Sequence, residues 1–211
     1  MPHIPEVFSW MEGWAATLDN EKHSFRSLLY VGWRKDCNPW WYEKLCQNIW
    51  GVKRVGVLEI FEKNVDDLTE QVRTGKYRLK VTLGDVREIE KYVQKDEYDV
   101  IFWDHGPEHV KFSEFVSTVP KLISLAGKMV LLCCPWGYWP QGATDGNYDE
   151  IHRFSVEPEH MERFGLFVQR FGASGSANSG ELLGHLIKHD ASDDLPSTPF
   201  WRRALEFFGR K

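Results

Sequence analysis

Apolar residues in this chain fall into short runs closed by turn residues, and longer amphipathic stretches separate them. Ser27–Val31 is a run of this kind, ending at Gly32. A continuous apolar run of that length predicts a strand buried on both faces. Val55–Ile60, Leu79–Leu83, Tyr98–Trp103 and Met129–Cys134 repeat the pattern. Helices are expected between them. One starts with Asn38 as N-cap and Pro39 in first position and ends at Gly51. A second covers Asn64–Thr74 and stops at Gly75, and a short one follows from Arg87. A third covers Phe112–Leu125, with a kink expected at Pro120. Strands alternating with helices predict βαβ units, a parallel sheet and right-handed crossovers.

After the fifth strand the pattern changes. Residues 135–153 are rich in Gly, Pro, Trp and polar side chains. A long aperiodic stretch inside a compact domain is often functional, so 135–155 is expected to be an acceptor-side insertion or lid. Ser155 is expected to cap a helix over Val156–Phe164, ended by Gly165. Leu166–Phe171 and Leu182–His189 read as strands joined across the Gly- and Ser-rich segment 172–180, an antiparallel hairpin. Residues 1–24 form an irregular N-terminal extension with a short helix around Trp10 to Leu18, and 190–211 form a tail with an amphipathic piece from Phe200 to Phe208. No repeat is visible. The expected fold is one α/β domain over 1–211: a doubly wound, mostly parallel seven-stranded sheet with helices on both faces and an antiparallel C-terminal hairpin.

Composition narrows the function. At 211 residues the chain is long enough to bury a full core. Its net charge of −5 and pI near 5.9 come with no basic stripe, which argues against a nucleic-acid partner. Apolar runs are strand-length, so no membrane span is expected. Met1 to Trp10 carries Pro and Glu where a signal peptide needs a basic region and an apolar core, and a cytoplasmic location is expected. Cys37, Cys46, Cys133 and Cys134 lack the spacing of a zinc site and are expected to be reduced and structural. Tryptophans cluster at Trp33, Trp40 and Trp41, and again at Trp136 and Trp139. They suit core packing or an aromatic-lined pocket.

Ligands of an open parallel sheet bind outside the carboxyl ends of its strands. There this sequence places Gly32 after the first strand, Glu59 at the end of the second, Gly84-Asp85 after the third, Asp104-His105 after the fourth and Pro135-Trp136-Gly137 after the fifth. A glycine lets backbone approach a ligand closely. A carboxylate after the second strand can accept both hydroxyls of a ribose. One after the third can accept from a base amino group, and one near the fourth can offset a cationic sulfonium.

The run from Ser27 to His189 resembles the class I S-adenosylmethionine-dependent methyltransferases, a Rossmann-like family. Five segments carry the resemblance: Leu28-Leu29-Tyr30-Val31-Gly32, Gly56-Val57-Leu58-Glu59-Ile60, Leu83-Gly84-Asp85-Val86, Tyr98 through Asp104, and Ala126 through Leu132. The resemblance implies S-adenosylmethionine as cofactor, with Gly32 and Trp33 under it, Glu59 and Ile60 at the ribose, Asp85 and Val86 at the adenine and Asp104 near the methionine part. The family's first loop carries several glycines, whereas here it reads Gly32-Trp33-Arg34-Lys35-Asp36. Pro135-Trp136-Gly137 and His152-Arg153-Phe154-Ser155 are similar to segments of methyltransferases acting on small molecules.

Methyl transfer to oxygen or nitrogen needs positioning and, for many acceptors, a base. Asp104, His105 and His152 are the candidate catalytic residues, with His109 also considered. Trp136, Tyr138 and Trp139 are expected to line the acceptor pocket. His105, Glu108 and His109 also raise a metal site. Gly106 and Pro107 interrupt a helix there, and no carboxylate follows the fifth strand, so no metal is expected. The expected activity is methyl transfer to a small-molecule acceptor. The alternatives are a non-catalytic binding module with an altered cofactor loop and, against the missing G-x-G-x-x-G, a nicotinamide-dependent oxidoreductase. Oligomeric state is not legible.

Overall fold

The structure is a computed structural model that describes residues 25–33, 52–174 and 180–188. The expected helix ending at Gly51, the N-terminal extension, the C-terminal tail, Cys37 and Cys46 lie outside the described residues. Seven strands form one sheet: β1 Ser27–Val31, β2 Arg54–Glu59, β3 Lys80–Leu83, β4 Val100–Asp104, β5 Met129–Pro135, β6 Phe167–Gly172 and β7 Gly180–Ile187. Their order is β3-β2-β1-β4-β5-β7-β6. β1 to β5 pair in parallel, and β7 runs antiparallel between β5 and β6. This is the doubly wound, mostly parallel sheet with a reversed C-terminal hairpin that the alternation of runs predicts.

Because successive side chains of a strand point to opposite faces, each buried strand feeds two cores. Leu28, Tyr30, Val57, Val100, Phe102, Leu131 and Cys133 fill one. Leu29, Val31, Leu58, Ile101, Trp103, Leu132 and Cys134 fill the other. Helix α1, Glu62–Arg73, covers the first face with Leu68. Helix α2, Phe112–Leu125, covers the second with Phe115, Val119 and Leu122, a spacing that keeps all three on one side. Cys133 and Cys134 are buried on opposite faces of the sheet.

Several local expectations shift. Helix α1 begins two residues before Asn64, with Phe61 as N-cap and no side-chain cap. The Asn64 amide is spent elsewhere, on Trp33 and Glu59. Pro120 does not end α2. It lies on the exposed side, where water can serve the carbonyl it frees. Ser155 is not the cap of the next helix. Helix α3 covers only Pro158–Glu162, and there His160 Nδ1 accepts from the Glu157 N–H at 3.1 Å. The short helix at Arg87 is a 3-10 turn over Val86–Lys91, capped by Asp85. No helix among the described residues is long and apolar enough to cross a membrane.

Leu122 is fully buried in α2, whereas Leu83 on the edge strand is 47% exposed. Leu122→Ala is expected to cost about 2–5 kcal/mol in urea unfolding and Leu83→Ala less than about 1 kcal/mol. Equal costs would contradict this placement of the core.

Candidate active site

The strand order reverses direction between β1 and β4, so the loops leaving those strands part and open a crevice at the carboxyl edge. A cavity of about 940 Å3, open mouth included, lies there. Its walls include Gly32, Glu59, Ile60, Asp85, Val86, His105 and His152. The chain thus brings together seven of the residues singled out from the sequence, along with the backbone of Trp33.

Gly32 turns the chain out of β1 at φ +88°, and a Cβ there would stand 3.0 Å from the Asp104 carbonyl oxygen. Both facts demand glycine. Trp33 borders the cavity, is only 2% exposed and packs in the core under β1. Its backbone N–H donates to Glu59 Oε2 at 2.8 Å. Glu59 Oε1 accepts from the Phe61 N–H at 2.8 Å and the Asn64 amide at 3.4 Å. One carboxylate therefore pins the loops after β1 and β2. A carboxylate offers about four acceptor positions, so capacity remains on Oε2 for a ligand hydroxyl. Burial pushes the Glu59 carboxyl up to about 7, against the hydrogen bonds from Phe61, Trp33 and Asn64.

Asp85 is more committed than the sequence suggests. Its carboxylate caps the turn at the Arg87 N–H and pairs with the Arg87 guanidinium at 2.6 Å, while Arg87 also reaches Glu114 at 3.0 Å. A base amino group at Asp85 has to share the carboxylate with Arg87.

Asp104 departs from its expected position. As the residue after Trp103 it alternates to the opposite face of β4, is 4% exposed, and accepts from the Tyr30 hydroxyl. Its side chain does not line the cavity. His105 takes over that place. It adopts φ +44°, its N–H donates to the Cys133 carbonyl at 2.8 Å, and it stands in the cavity wall. Gly106 then packs flat on Trp103, where a Cβ would lie 2.1 Å from the indole Nε1. This contact folds Pro107–His109 into a 3-10 turn and delivers Glu108 and His109 to the cavity.

The aromatic trio of 135–155 is also displaced. Trp136 donates from Nε1 to Glu157 at 3.0 Å, packs on the second core and lines neither cavity described here. Tyr138 and Trp139 line a neighbouring cavity that shares Gln141 and His152 with the first. Apart from Pro135, the residues of this segment that face the main cavity are polar: Gln141, Asn147, Asp149, Glu150 and His152. Gln141 holds the segment closed, accepting from the His152 N–H at 3.1 Å and donating to the Glu150 carbonyl at 2.9 Å. Of these, sequence reasoning singled out His152 and passed over the others because they lie in an aperiodic stretch. It weighed Glu108 only as a metal ligand. The walls carry Glu59, Asp85, Glu108, Asp149 and Glu150 against one Arg and no Lys among the described residues. Such a lining favours a cationic ligand and disfavours a phosphate.

Two buried groups give opposite pH signatures. Glu59 holds its proton more tightly folded than unfolded, so its contribution to stability is lost as the pH rises from 4.5 to about 7. His185 in β7 is pushed down by burial to about 4, so its contribution is lost as the pH falls from 6.5 to about 4. Each is worth on the order of 3 kcal/mol. Relative to wild type, Glu59→Gln is expected to gain stability as the pH rises through this window and His185→Gln to lose it, read from denaturant midpoints. Differences that do not change with pH would contradict both assignments.

No protein-family model and no curated protein matches the chain. Solved structures do resemble it. An S-adenosylmethionine-dependent methyltransferase from Clostridium acetobutylicum superposes with a TM-score of 0.59 at 9% identity, over 85% of this chain and 90% of that one. Magnesium protoporphyrin IX methyltransferase from Synechocystis, with S-adenosylhomocysteine bound, gives 0.56 at 12% identity over 87% and 84%. A Rhodobacter sphaeroides protein provisionally described as a Zn-dependent alcohol dehydrogenase gives 0.57 at 12% over 87% and 97%. With its strand order and reversed hairpin, the chain shares the Rossmann-like fold of these solved methyltransferases.

Proposed function

We propose that this chain is an S-adenosylmethionine-dependent methyltransferase that carries a methyl group to an oxygen or nitrogen of a small-molecule acceptor. One observation carries the reading: at the β1/β4 crevice a glycine-tight turn and a buried carboxylate with spare acceptor capacity meet in a cavity walled by carboxylates. The cofactor supplies an electrophilic methyl on a sulfonium. The acidic wall suits that positive charge and is a poor host for the pyrophosphate of a nicotinamide dinucleotide or for a nucleic-acid backbone.

Each residue then has a defined task. Gly32 and the Trp33 backbone form the floor under the ligand. Glu59 accepts from the ribose hydroxyls, Ile60 and Val86 flank the nucleoside, and Asp85, shared with Arg87, accepts from the adenine amino group. Gln141, Asn147 and Glu150 close the cavity over donor and acceptor and exclude water. His105, in the wall beyond the crevice, takes the acceptor proton. Asp104 has a supporting role, holding the strand end through Tyr30. A non-catalytic binding module is the second reading, favoured by the single glycine of this loop, while the packing of Trp33 in the core supports the first.

S-Adenosylhomocysteine at about 100 times its Kd is expected to stabilise the protein by roughly 2.7 kcal/mol, visible as a rise in Tm, and NADH to give none. Glu59→Ala should abolish the shift. Because ribose hydroxyls donate to an ionised carboxylate, affinity should rise as the pH passes through about 7, and Glu59→Gln should flatten that profile. A folded wild-type protein whose Tm moves with neither adenosyl ligand would overturn the reading.

A further inference from the structure

We propose that Glu108, His109 and His152 form a binding site for one divalent transition-metal cation of the zinc type at the inner end of the cavity. The binding stands on the chain's own side chains and is independent of the methyl-transfer reading.

The three donors are brought together by backbone. Glu108 and His109 are neighbours on the turn Pro107–His109, and the Arg153 N–H donates to the Glu108 carbonyl at 2.8 Å, which docks the His152 segment against that turn. Glu108 Oε1 lies 3.7 Å from His109 Nε2 and 3.9 Å from His152 Nε2, and the three donor atoms all lie within 4.8 Å of one another. Zinc bonds of about 2.0–2.1 Å put tetrahedral donors roughly 3.3 Å apart. Small side-chain rotations close the set on one ion.

Glu108 is met by His105, His109 and His152 at ion-pair distances of 3.6, 3.7 and 3.9 Å. Only 2% of it is exposed, and neither carboxylate oxygen accepts a hydrogen bond among the described residues. A buried carboxylate left in that state is costly. The surrounding imidazole nitrogens, His105 Nδ1 at 3.6 Å included, stand beyond hydrogen-bond distance. His109 Nδ1 is likewise buried with no partner among the described residues.

His152 supplies an independent observation. Its Nδ1 contacts the Trp139 carbonyl oxygen, and a carbonyl only accepts, so Nδ1 carries the proton. In the neutral ring Nε2 then presents a lone pair toward the Glu108 carboxylate. A backbone carbonyl fixing the tautomer of the outward nitrogen is the usual support of a metal-bound imidazole. Two facing acceptors need a positive charge between them.

The donor set selects the metal. Two imidazoles and one carboxylate suit Zn2+, Fe2+, Co2+, Ni2+ or Mn2+, whereas Mg2+ and Ca2+ prefer all-oxygen shells. His105, whose Nδ1 lies 3.6 Å from Glu108 and Nε2 3.5 Å from Glu181, flanks the trio. The coordination positions left open face the cavity. Resting on the methyl-transfer reading, an acceptor oxygen held there would be oriented and made more acidic. The sequence spoke against a metal because Pro107 bars a helix through His105 and His109. A tight turn plus a histidine 43 positions further on achieves what the helix cannot.

The test is calorimetric titration of tag-free, chelator-stripped full chain with Zn2+, with Co2+ absorption as a second readout and Mg2+ as a control, without cofactor. The expected result is one equivalent of Zn2+, visible d–d absorption for Co2+, and no saturable Mg2+ binding. Glu108→Gln and His152→Ala should each weaken Zn2+ at least tenfold, with folding checked by circular dichroism. Should the buried Glu108→Gln misfold, the loop variant His152→Ala decides. Absence of stoichiometric Zn2+ binding in wild type, or affinity unchanged in a folded variant, would overturn the proposal. S-Adenosylhomocysteine binding, measured separately, reports on the cofactor site and not on this one.

Discussion

The parting of the chain at β1 is the constraint on which the rest depends. β1 pairs in parallel with β2 on one side and β4 on the other, so the connections after β1 and β4 leave in opposite directions. The crevice between them exists because Gly32 can hold a left-handed turn against the Asp104 carbonyl. Once that turn is made, the Trp33 N–H meets Glu59 and the indole drops into the core. Glu59 in turn collects Phe61 and Asn64. The entrance to α1 and the floor of the cavity are thus set by one buried carboxylate.

The second organising contact is at the far side of the same crevice. Trp103 is buried in the core beneath α2, and Gly106 lies flat against it. The turn at His105 that makes this approach possible swings Asp104 away and Glu108 in. A strand-end carboxylate is therefore exchanged for a carboxylate four residues later, embedded among histidines. Burial raises the Glu108 carboxyl, and His109, His105 and His152 more than offset this, holding it below the usual range. Burial pushes His152 down, partly opposed by Glu108. The result is a buried carboxylate ringed by three imidazoles, beside a cavity whose other carboxylates suit a cation.

Much of the fold was legible because buried parallel strands write themselves as unbroken apolar runs, and Ser27–Val31, Phe112–Leu125 and the start of β5 at Met129 appear where the pattern puts them. Edges moved where a polar residue had a better partner than the helix end: Asn64 went to Trp33, and Ser155 was passed over for Glu157 and His160. The cavity wall was legible at Gly32, Glu59, Asp85 and His105, since strand ends fix where side chains emerge. Asp104 was misplaced by a single alternation of the strand, which local composition cannot reveal. Trp136, Tyr138 and Trp139 suggested a pocket by aromatic character, yet the segment folds on itself through Gln141 and turns its polar side inward. Glu108 and His109 were legible together as a possible metal site, but His152 as their partner was not: it joins from another loop through a backbone contact that no spacing rule encodes.

On the proposed reading the β1/β4 crevice holds an adenosyl sulfonium with its ribose on Glu59. A crystal structure of the chain with S-adenosylhomocysteine tests this most directly. The expected result is the ribose hydroxyls on the Glu59 carboxylate, the backbone of Gly32 and Trp33 beneath the nucleoside, and the sulfur on the side of His105. A ligand bound elsewhere, or a crevice closed by side chains with Glu59 contacting only Trp33, Phe61 and Asn64, would contradict it.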